Sequence, residues 1–300
     1  MTRRAFLLGT AAAGLTACAG STPAPVRIAA GEAGGFYLEF GDLLAAALRA
    51  DGTPATTVST GGSVDNLAWV SSGRAVLGLT LADVAVTSRA AGSAVAAIGR
   101  VYENYMQFVV RASSPLHSVS DLAGRVVSLG AAGSGASMFG DRLLAAVGIS
   151  ASVIRRPLAE AIHALEAGSI DALLWSGGVP TPALADLAQR LPIRVLPLDG
   201  PIPTLQSRYG AVYSLVSVPG GIYGASEEVP VVGVANLLVC LPAQPDDLVA
   251  AVARTLVTAA PRLVPDSALG TQFLDQRALI DTGAVPMHPG AARAYRDLHG

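Results

Sequence analysis

The sequence predicts an α/β protein in which mainly parallel strands are covered by helices on both faces. Short apolar runs alternate with amphipathic helical patterns along the chain. Glycine-rich turns connect several of these runs to the helix that follows. Hydrophobic residues make up 51% of the chain and aromatic residues only 5%, so alanine, valine and leucine are expected to fill the core.

The first series of predicted elements begins at Val26. Its strands are apolar runs, and its helices carry apolar residues on one face, as Leu44, Ala45 and Leu48 do in the first helix. The series consists of strands at 26–30, 56–59, 76–80 and 94–98 and helices at 37–49, 63–71 and 81–90.

A second series of the same kind begins after Tyr105. It consists of strands at 107–111, 125–129, 153–154, 172–175 and 193–196 and helices at 136–147, 158–166 and 182–190. A further apolar strand at 231–241 and a helix at 245–260 are expected to return to the first series.

Two α/β series in one chain predict two lobes. We expect the first lobe to contain residues 26–106 and 238–300 and the second lobe to contain residues 107–237, with chain crossings near 107–111 and 234–241 acting as a hinge. Ligands bind α/β sheets where the carboxyl ends of strands meet helix N-termini. The expected binding site is therefore a cleft between the lobes.

The N-terminal segment is typical of an export signal. Arg3 and Arg4 precede an uncharged apolar run, which ends in small residues directly before Cys18. The run is too short for a membrane span, which needs about 20 apolar residues. We expect residues 1–17 to be a cleaved lipoprotein signal, and residues 18–25 to be a lipidated cysteine followed by a polar tether. Export by the twin-arginine route and by the general secretion route remain equally open.

Composition excludes several classes of function. All 20 basic residues are arginine, and the net charge is -2. A Walker A loop, a pyridoxal Schiff base and a Ser-x-x-Lys nucleophile all need lysine and are therefore impossible. The near-neutral charge gives no reason to expect a nucleic-acid partner. If Cys18 carries lipid, Cys240 has no partner for an internal disulfide, and we expect it to be a buried small hydrophobe.

Four strand-to-helix turns share one chemistry. Each places glycine and small polar residues at a helix N-terminus, where unpaired backbone N–H groups and partial positive charge hold a carboxylate or phosphate without lysine. The alternative is that these turns only cap their helices. The turns are at residues 31–37, 60–66, 130–137 and 176–182.

Candidate ligand-binding residues follow from these turns. Backbone N–H groups are expected from Gly35, Gly62, Gly133, Ser134, Gly135, Gly177 and Gly178. Side chains of Tyr37, Ser63, Asn66, Ser134 and Ser176 are expected to orient the ligand. Tyr213 is a candidate for the cleft wall, and so is Trp175, for which a core position is equally open. Asp83 is a candidate for a polar contact, with helix capping as its alternative.

Catalytic and metal motifs are not found in the sequence. The four histidines are scattered without metal-ligand spacing, and no turn supplies Gly-x-Ser-x-Gly. We therefore expect no catalytic residue, no cofactor and no metal.

The turns, taken in order, resemble those of one family, the TAXI-type solute-binding proteins. These are the extracytoplasmic receptors of tripartite ATP-independent periplasmic (TRAP) transporters. The residues that carry the resemblance are Gly34-Gly35-Phe36-Tyr37, Gly61-Gly62-Ser63-Val64-Asp65-Asn66-Leu67, Asp83-Val84-Ala85, Gly133-Ser134-Gly135, Gly177-Gly178-Val179-Pro180-Thr181-Pro182-Ala183 and His288-Pro289-Gly290-Ala291.

The resemblance implies a type II periplasmic-binding-protein-like fold without catalysis. It implies a small anionic ligand, such as glutamate or another carboxylate, delivered to a membrane permease. Phe36 and Ala136 are also candidate ligand-binding residues. They stand in binding turns where the family usually has tyrosine and threonine, so the identity of the ligand does not transfer. A receptor for an ATP-driven importer or a sensor kinase is the alternative function, and a surface hydrolase or lyase on the same fold is a weaker one.

Overall fold

The computed structural model describes residues 24–266, 268, 274 and 276–299. The export signal and Cys18 lie outside these residues. In the described part of the chain, ten strands form one mixed sheet. They are β1 Val26–Ala29, β2 Ala55–Val58, β3 Leu77–Leu81, β4 Ala96–Arg111, β5 Val126–Ser128, β6 Ser152–Ile154, β7 Ala172–Gly177, β8 Ile193–Leu196, β9 Ser214–Val218 and β10 Val229–Cys240.

Helices follow most of the strands. They are α1 Phe36–Ala50, α2 Ser63–Ser71, α3 Ala82–Ala90, α4 Gly135–Val147, α5 Leu158–Glu166, α6 Pro182–Arg190, α7 Ile202–Tyr209, α8 Asp246–Thr258, α9 Gln276–Ile280 and α10 Pro289–His299. Short 3-10 turns occur at Val119–Leu122, Ile222–Gly224 and Ala260–Arg262. No helix in the described ranges has the length and apolar character that a membrane crossing requires.

The sheet has parallel ends and an antiparallel centre. Its order is β2-β1-β3-β10-β4-β7-β5-β6, with β8 beside β4 and β9 beside β10. We call β2, β1 and β3 the first sheet end and β7, β5 and β6 the second sheet end. Strand pairs within each end are parallel, whereas β10 and β4 pair antiparallel with each other and with the end strands next to them.

The predicted α/β fold class is confirmed. The structure differs from the predicted strands at the centre of the sheet. The separate strands expected at 94–98 and 107–111 are one strand, β4. Glu103, Asn104 and Gln107 break the apolar pattern in its sequence, but all three are buried. Because β4 and β10 join the two parallel ends, the two series form one continuous sheet rather than two.

Local sequence explains where the helices near the site begin. In α4, the Ser134 hydroxyl oxygen accepts a hydrogen bond from the Ser137 N–H at 3.0 Å, which is a normal N-cap. Gly148 ends the same helix in the left-handed region, with φ of 74°. Pro182 occupies the first turn of α6, where its missing N–H costs nothing.

Two main groups of buried apolar side chains hold the sheet between its helices. The larger surrounds β4, β5 and β7 and includes residues of α4, α5 and α6. The other packs α1, α8 and α10 against β1, β3 and β10. Cys240 is fully buried in this second group, as expected from its apolar neighbours in the sequence.

Candidate functional site

The turns at the carboxyl ends of the parallel strands meet around one small cavity. The first sheet end contributes the turns after β1 and β2 and the end of β3, and the second contributes the turn after β5 and the end of β7. The cavity volume is about 40 Å³, which is room for a few water molecules or a small solute. Its lining residues are Gly31, Glu32, Gly35, Phe36, Tyr37, Gly61, Gly62, Ser63, Leu81, Asn104, Ser134, Gly135, Ala136, Trp175, Ser176 and Gly177.

Most of the candidate binding residues line this cavity. Those in the lining are Gly35, Phe36, Tyr37, Gly62, Ser63, Ser134, Gly135, Ala136, Ser176 and Gly177. The remaining candidates, Asn66, Asp83, Gly133, Gly178 and Tyr213, lie outside the lining.

Free backbone donors are concentrated at the start of α4 and α2. The N–H groups of Gly135, Ala136 and Ser63 have no hydrogen-bond partner among the described residues. The N–H of Gly35 instead donates to the Glu32 carbonyl at 3.2 Å, and the N–H of Gly62 donates to the Thr60 hydroxyl at 3.2 Å. Gly35 and Gly62 were expected to donate to the ligand, but their N–H groups already donate to acceptors of the protein.

A network of hydroxyl groups surrounds the free donors. The Tyr37 hydroxyl lies 3.0 Å from the Ser63 hydroxyl, which also accepts the Leu81 N–H at 3.1 Å. Burial raises the pKa of Tyr37 well above its ordinary value, so the phenol stays neutral at physiological pH. On the opposite wall, the Asn104 side-chain amide donates to the Ser176 hydroxyl at 2.9 Å.

Asn66 is placed as a structural residue. It is fully buried, and its amide N–H groups donate to the carbonyls of Ala30 and Leu79, while its oxygen accepts from the Thr60 hydroxyl. These bonds hold the ends of β1 and β3 and the turn before α2 together. Because the protein occupies both ends of the amide, the expected contact with ligand does not fit this geometry.

Asp83 and Tyr213 lie in a separate polar cluster beside the cavity. The Tyr213 hydroxyl donates to the Asp83 carboxylate at 2.8 Å, and the Arg142 guanidinium contacts both residues. Arg142 also donates to the Thr87 hydroxyl at 2.6 Å. Burial raises the pKa of Asp83, against the opposing effects of Tyr213 and Arg142. The cluster links α3 to α4 and to the segment before β9, and none of its side chains lines the cavity.

Gly133 and Gly178 are the two other candidates that lie outside the cavity lining, and both pack against the opposite sheet end. The Gly133 carbonyl accepts the N–H groups of Val64 and Asp65 at 3.0 and 3.3 Å. A Cβ atom added to Gly178 would lie 2.6 Å from the Phe36 ring, so only glycine fits there. Both glycines bring the turns together from outside the cavity.

Glu32 and Asn104 are polar lining residues that were not selected as binding residues, and Trp175 is a lining residue that was named only as a possible part of the cleft wall. Trp175 adjoins a glycine turn, and its position in the sequence left site and core equally open. Glu32 lies inside the first glycine turn, and this position was the feature of the sequence that could have identified it as a lining residue. Asn104 lies within the long strand β4, and its only signal is that a polar residue interrupts an apolar pattern.

Glu32 is the one charged side chain in the lining, as far as the described residues show. One carboxylate oxygen accepts the Leu158 N–H at the start of α5 at 2.9 Å. Burial raises the pKa of Glu32, partly offset by this hydrogen bond. Elsewhere in the described ranges, no group of three or more histidine, cysteine, aspartate or glutamate residues is placed to hold a metal ion.

Hydrogen bonds between the two sheet ends close the cavity on several sides. Glu32 follows β1 and bonds to Leu158, which follows β6. Val64 in α2 bonds to Gly133, which precedes α4. The Asp83–Arg142 ion pair, at 3.4 Å, adds a third connection. These contacts join the two sheet ends around the cavity.

A family model described as the NMT1-like family matches residues 28–298. This match spans nearly all of the described chain, including every turn around the cavity.

Solved structures share the fold at low sequence identity. A protein from Bordetella bronchiseptica RB50 is 18% identical with a TM-score of 0.57, over 92% of this chain and 98% of that one. The arginine-, lysine-, histidine-binding protein ArtJ from Geobacillus stearothermophilus is 11% identical with a TM-score of 0.52, over 80% and 92%. The GluR0 ligand-binding core in complex with L-glutamate is 13% identical with a TM-score of 0.52, over 79% and 93%. These matches share a periplasmic-binding-protein-like α/β fold with this chain.

Proposed function

Because this chain belongs to the NMT1-like family, we propose that it is an extracytoplasmic receptor that captures a small carboxylate or amino acid. One observation carries the proposal: turns from both sheet ends enclose a small cavity that is lined by free helix N-terminal N–H groups. Helix N-termini bind anionic groups through these donors and through the helix dipole. In this proposal the protein binds its solute and performs no chemistry on it.

The donors around the cavity are sufficient for useful affinity. A micromolar dissociation constant corresponds to about 8 kcal/mol. A hydrogen bond to a charged group contributes roughly 1.5–3 kcal/mol, so about four or five such bonds are enough. Gly135, Ala136 and Ser63 supply backbone donors, and the hydroxyls of Ser63, Ser134 and Ser176 supply the remainder.

We further propose that the receptor is tied to a membrane through lipid on Cys18 and delivers its solute to a TRAP-type permease, as a TAXI-type protein. The lipobox before Cys18 and the resemblance of the glycine turns support this assignment. Mass spectrometry of the mature N-terminus should find a diacyl- or triacylglyceryl cysteine. A multi-span TRAP permease gene beside this one would support the partner, whereas an ATPase gene there would favour an ATP-driven importer.

Ligand binding is tested first by thermal shift of the purified protein against amino acids, monocarboxylates and dicarboxylates. We expect one chemical class to raise the melting temperature and to bind with a micromolar dissociation constant by calorimetry. If no member of these classes raises the melting temperature, the proposed function is wrong.

A further inference from the structure

Two aromatic side chains cross between the sheet ends beside the cavity, and both line it. The Trp175 ring, from the second sheet end, lies over Gly35, where an added Cβ atom would be 3.2 Å from Trp175 Cη2. The Phe36 ring, from the first sheet end, lies over Gly178, where an added Cβ atom would be 2.6 Å from Phe36 Cε1. Each sheet end therefore contributes one ring that packs on a glycine of the other.

The Trp175 ring is held in one orientation. Its indole N–H donates to the Thr181 hydroxyl at 3.0 Å, and the residue is only 7% exposed. A Cβ atom at Gly177 would collide with the indole nitrogen, so the ring lies directly over the turn that follows β7. A buried indole usually needs a partner for its N–H, and here that partner is a residue of the same turn.

Thr181 joins the indole to the backbone of the turn. Its hydroxyl accepts from Trp175 and donates to the Gly178 carbonyl at 2.8 Å. The residue is fully buried at the N-cap position of α6. One hydroxyl therefore fixes both the indole of Trp175 and the glycine on which Phe36 packs.

Tyr223 supports Thr181 from the side of the turn away from the cavity. Its hydroxyl oxygen accepts the Thr181 N–H at 2.6 Å. The 3-10 turn that contains Tyr223 lies against α6 and β8, and Tyr223 is not a lining residue. Among the described residues, Tyr223 is the one non-glycine residue with a positive φ, at 53°. A bulky residue in this region is strained, and such strain persists where the surrounding structure holds it, often beside ligand sites.

We propose that Tyr223 is a positioning residue for solute capture: it acts through Thr181 to hold Trp175 in the cavity wall. The same support keeps Gly178 in place under Phe36. The inference rests on the proposed function and adds to it a residue that does not touch the solute. Without the phenol hydroxyl, the buried Thr181 N–H has no acceptor, which is costly. The turn should then shift, and both aromatic contacts between the sheet ends should loosen.

Fluorescence of Trp175 measures its position without any solute. The chain contains two tryptophans, and Trp69→Phe leaves Trp175 as the only one. In this background, Tyr223→Phe keeps the ring and removes the hydroxyl. We expect the emission of Trp175 to move to longer wavelength and its quenching by acrylamide to increase, because the indole gains access to water.

Affinity is measured on the same proteins by calorimetry with L-glutamate, pyruvate and succinate, which represent amino acids, monocarboxylates and dicarboxylates. Tyr223→Phe should weaken whichever of these the parent binds by about fivefold or more, since a smaller fraction of the protein has its cavity wall in place. Thr181→Val should have both effects, because it removes the hydroxyl that accepts from Trp175. Thr181→Ser keeps a hydroxyl there and should restore both the emission and the affinity.

Tyr295→Phe is the matched control for the loss of a buried phenol hydroxyl. The Tyr295 hydroxyl donates to the Ile98 carbonyl at 3.0 Å, within the apolar group around α1, α8 and α10. We expect this variant to have a lower melting temperature, as Tyr223→Phe should, but an unchanged Trp175 emission and an unchanged affinity. A general loss of stability would instead affect both variants in the same way.

The possible failures are distinguishable. If the Trp175 emission of Tyr223→Phe matches that of the Trp69→Phe protein, the inference is overturned while the proposed function stands. The same holds if the emission shifts without a change in affinity, or if Tyr295→Phe has the same effects. If the parent binds no member of the three solute classes, the proposed function fails, and the role of Tyr223 in solute capture fails with it.

Discussion

At the scale of single residues, the structure gives Asn66 a role that differs from its sequence-based interpretation and adds Asn104 to the cavity lining. Asn66 lies in a glycine turn, and Asn104 lies inside a strand. The structure uses Asn66 to tie strand ends together and places Asn104 in the cavity lining. Local sequence patterns predict whether a residue lies in a turn or a strand, but they do not predict which groups its side chain contacts.

The hydrogen bonds of Asn66 give a prediction about stability. Asn66→Ala removes both N–H donors to the carbonyls of Ala30 and Leu79 and leaves the Thr60 hydroxyl without its acceptor. We expect the free energy of unfolding to fall by about 1–3 kcal/mol, measured by denaturant titration. The control is Asn104→Ala, which removes one hydrogen bond and should affect ligand affinity more than stability. An Asn66→Ala protein that melts like the parent but no longer binds solute would restore Asn66 to the site.

Cys240 gives a second prediction at this scale. The residue is fully buried in the group that packs around α1, α8 and α10, and burial raises the pKa of its thiol to about 12. Because the thiolate is the reactive form, a folded protein in which Cys18 is lipidated or replaced by serine should not react with a thiol reagent at pH 8, whereas the same protein should react fully when unfolded. Rapid reaction under native conditions would contradict the burial described here.

At the scale of elements, the close approach of α4 to the first sheet end explains why Gly135 must be glycine. Its backbone is not in the left-handed region, so conformation alone does not require glycine. A Cβ atom at this position would lie 2.3 Å from Leu81 Cδ1 and 2.9 Å from the Ser63 hydroxyl. The helix N-terminus can reach the cavity only because position 135 has no side chain.

Gly135→Ala should therefore keep α4 folded but hold its N-terminus away from the ligand. We expect the affinity for the solute to fall about tenfold or more, since two free N–H donors move out of reach. Gly200→Ala is the matched control, because a Cβ at Gly200 meets no heavy atom within 4 Å and the residue does not adopt a positive φ. Calorimetry on both variants decides the point. Equal affinity would mean that the α4 turn only caps its helix.

At the scale of the whole molecule, we propose that the protein opens and closes between the segments 107–237 and the rest of the chain. The structure contains the contacts expected of a closed form: Glu32 with Leu158, Val64 with Gly133, and Asp83 with Arg142. A solute that binds only the closed form shifts the population toward it. Small-angle scattering should give a smaller radius of gyration with saturating solute. An unchanged profile would contradict hinge closure.

Arg142 gives a prediction about this equilibrium. Arg142→Ala breaks the contacts of α4 with Asp83, Thr87 and Tyr213. We expect a larger radius of gyration without solute and a weaker apparent affinity, because less of the protein is in the binding-competent form. Arg155→Ala is the control, since its partners Ser137 and Asp141 lie on the same side of the proposed hinge. If both variants scatter like the parent, Arg142 is not needed for the closed form, because the Asp83 cluster still has the Tyr213–Asp83 hydrogen bond.

The Arg142→Ala experiment needs a second variant, because Asp83 affects stability as well as closure. Removal of Arg142 leaves a buried carboxylate without its cation, which lowers stability for reasons unrelated to closure. Adding Asp83→Asn to the Arg142→Ala chain removes the charge. The double variant should regain part of the lost melting temperature while it remains open in scattering. Recovery of both properties would place the effect in stability alone.

The sequence by itself determined the fold class, the order of most strands and helices, and the turns that face the cavity. These properties depend on local patterns: the period of apolar residues, glycine at tight turns, and residues that begin helices. Ten of the fifteen candidate binding residues line the cavity for this reason. The free donors at Gly135 and Ala136 were accessible to the same reasoning, because the first turn of any helix leaves its N–H groups unpaired.

Only the tertiary structure decided which polar side chains point into the cavity. Asn104 reaches it because β4 pairs with β10, where Asn104 is opposite Val234, and with β7, where Met106 is opposite Ser176. This register depends on residues far apart in the chain. Asp83 and Tyr213 are drawn away from it by Arg142 on a different helix. Side-chain direction and burial follow from the packing of distant segments, and short-range sequence patterns contain no information about that packing.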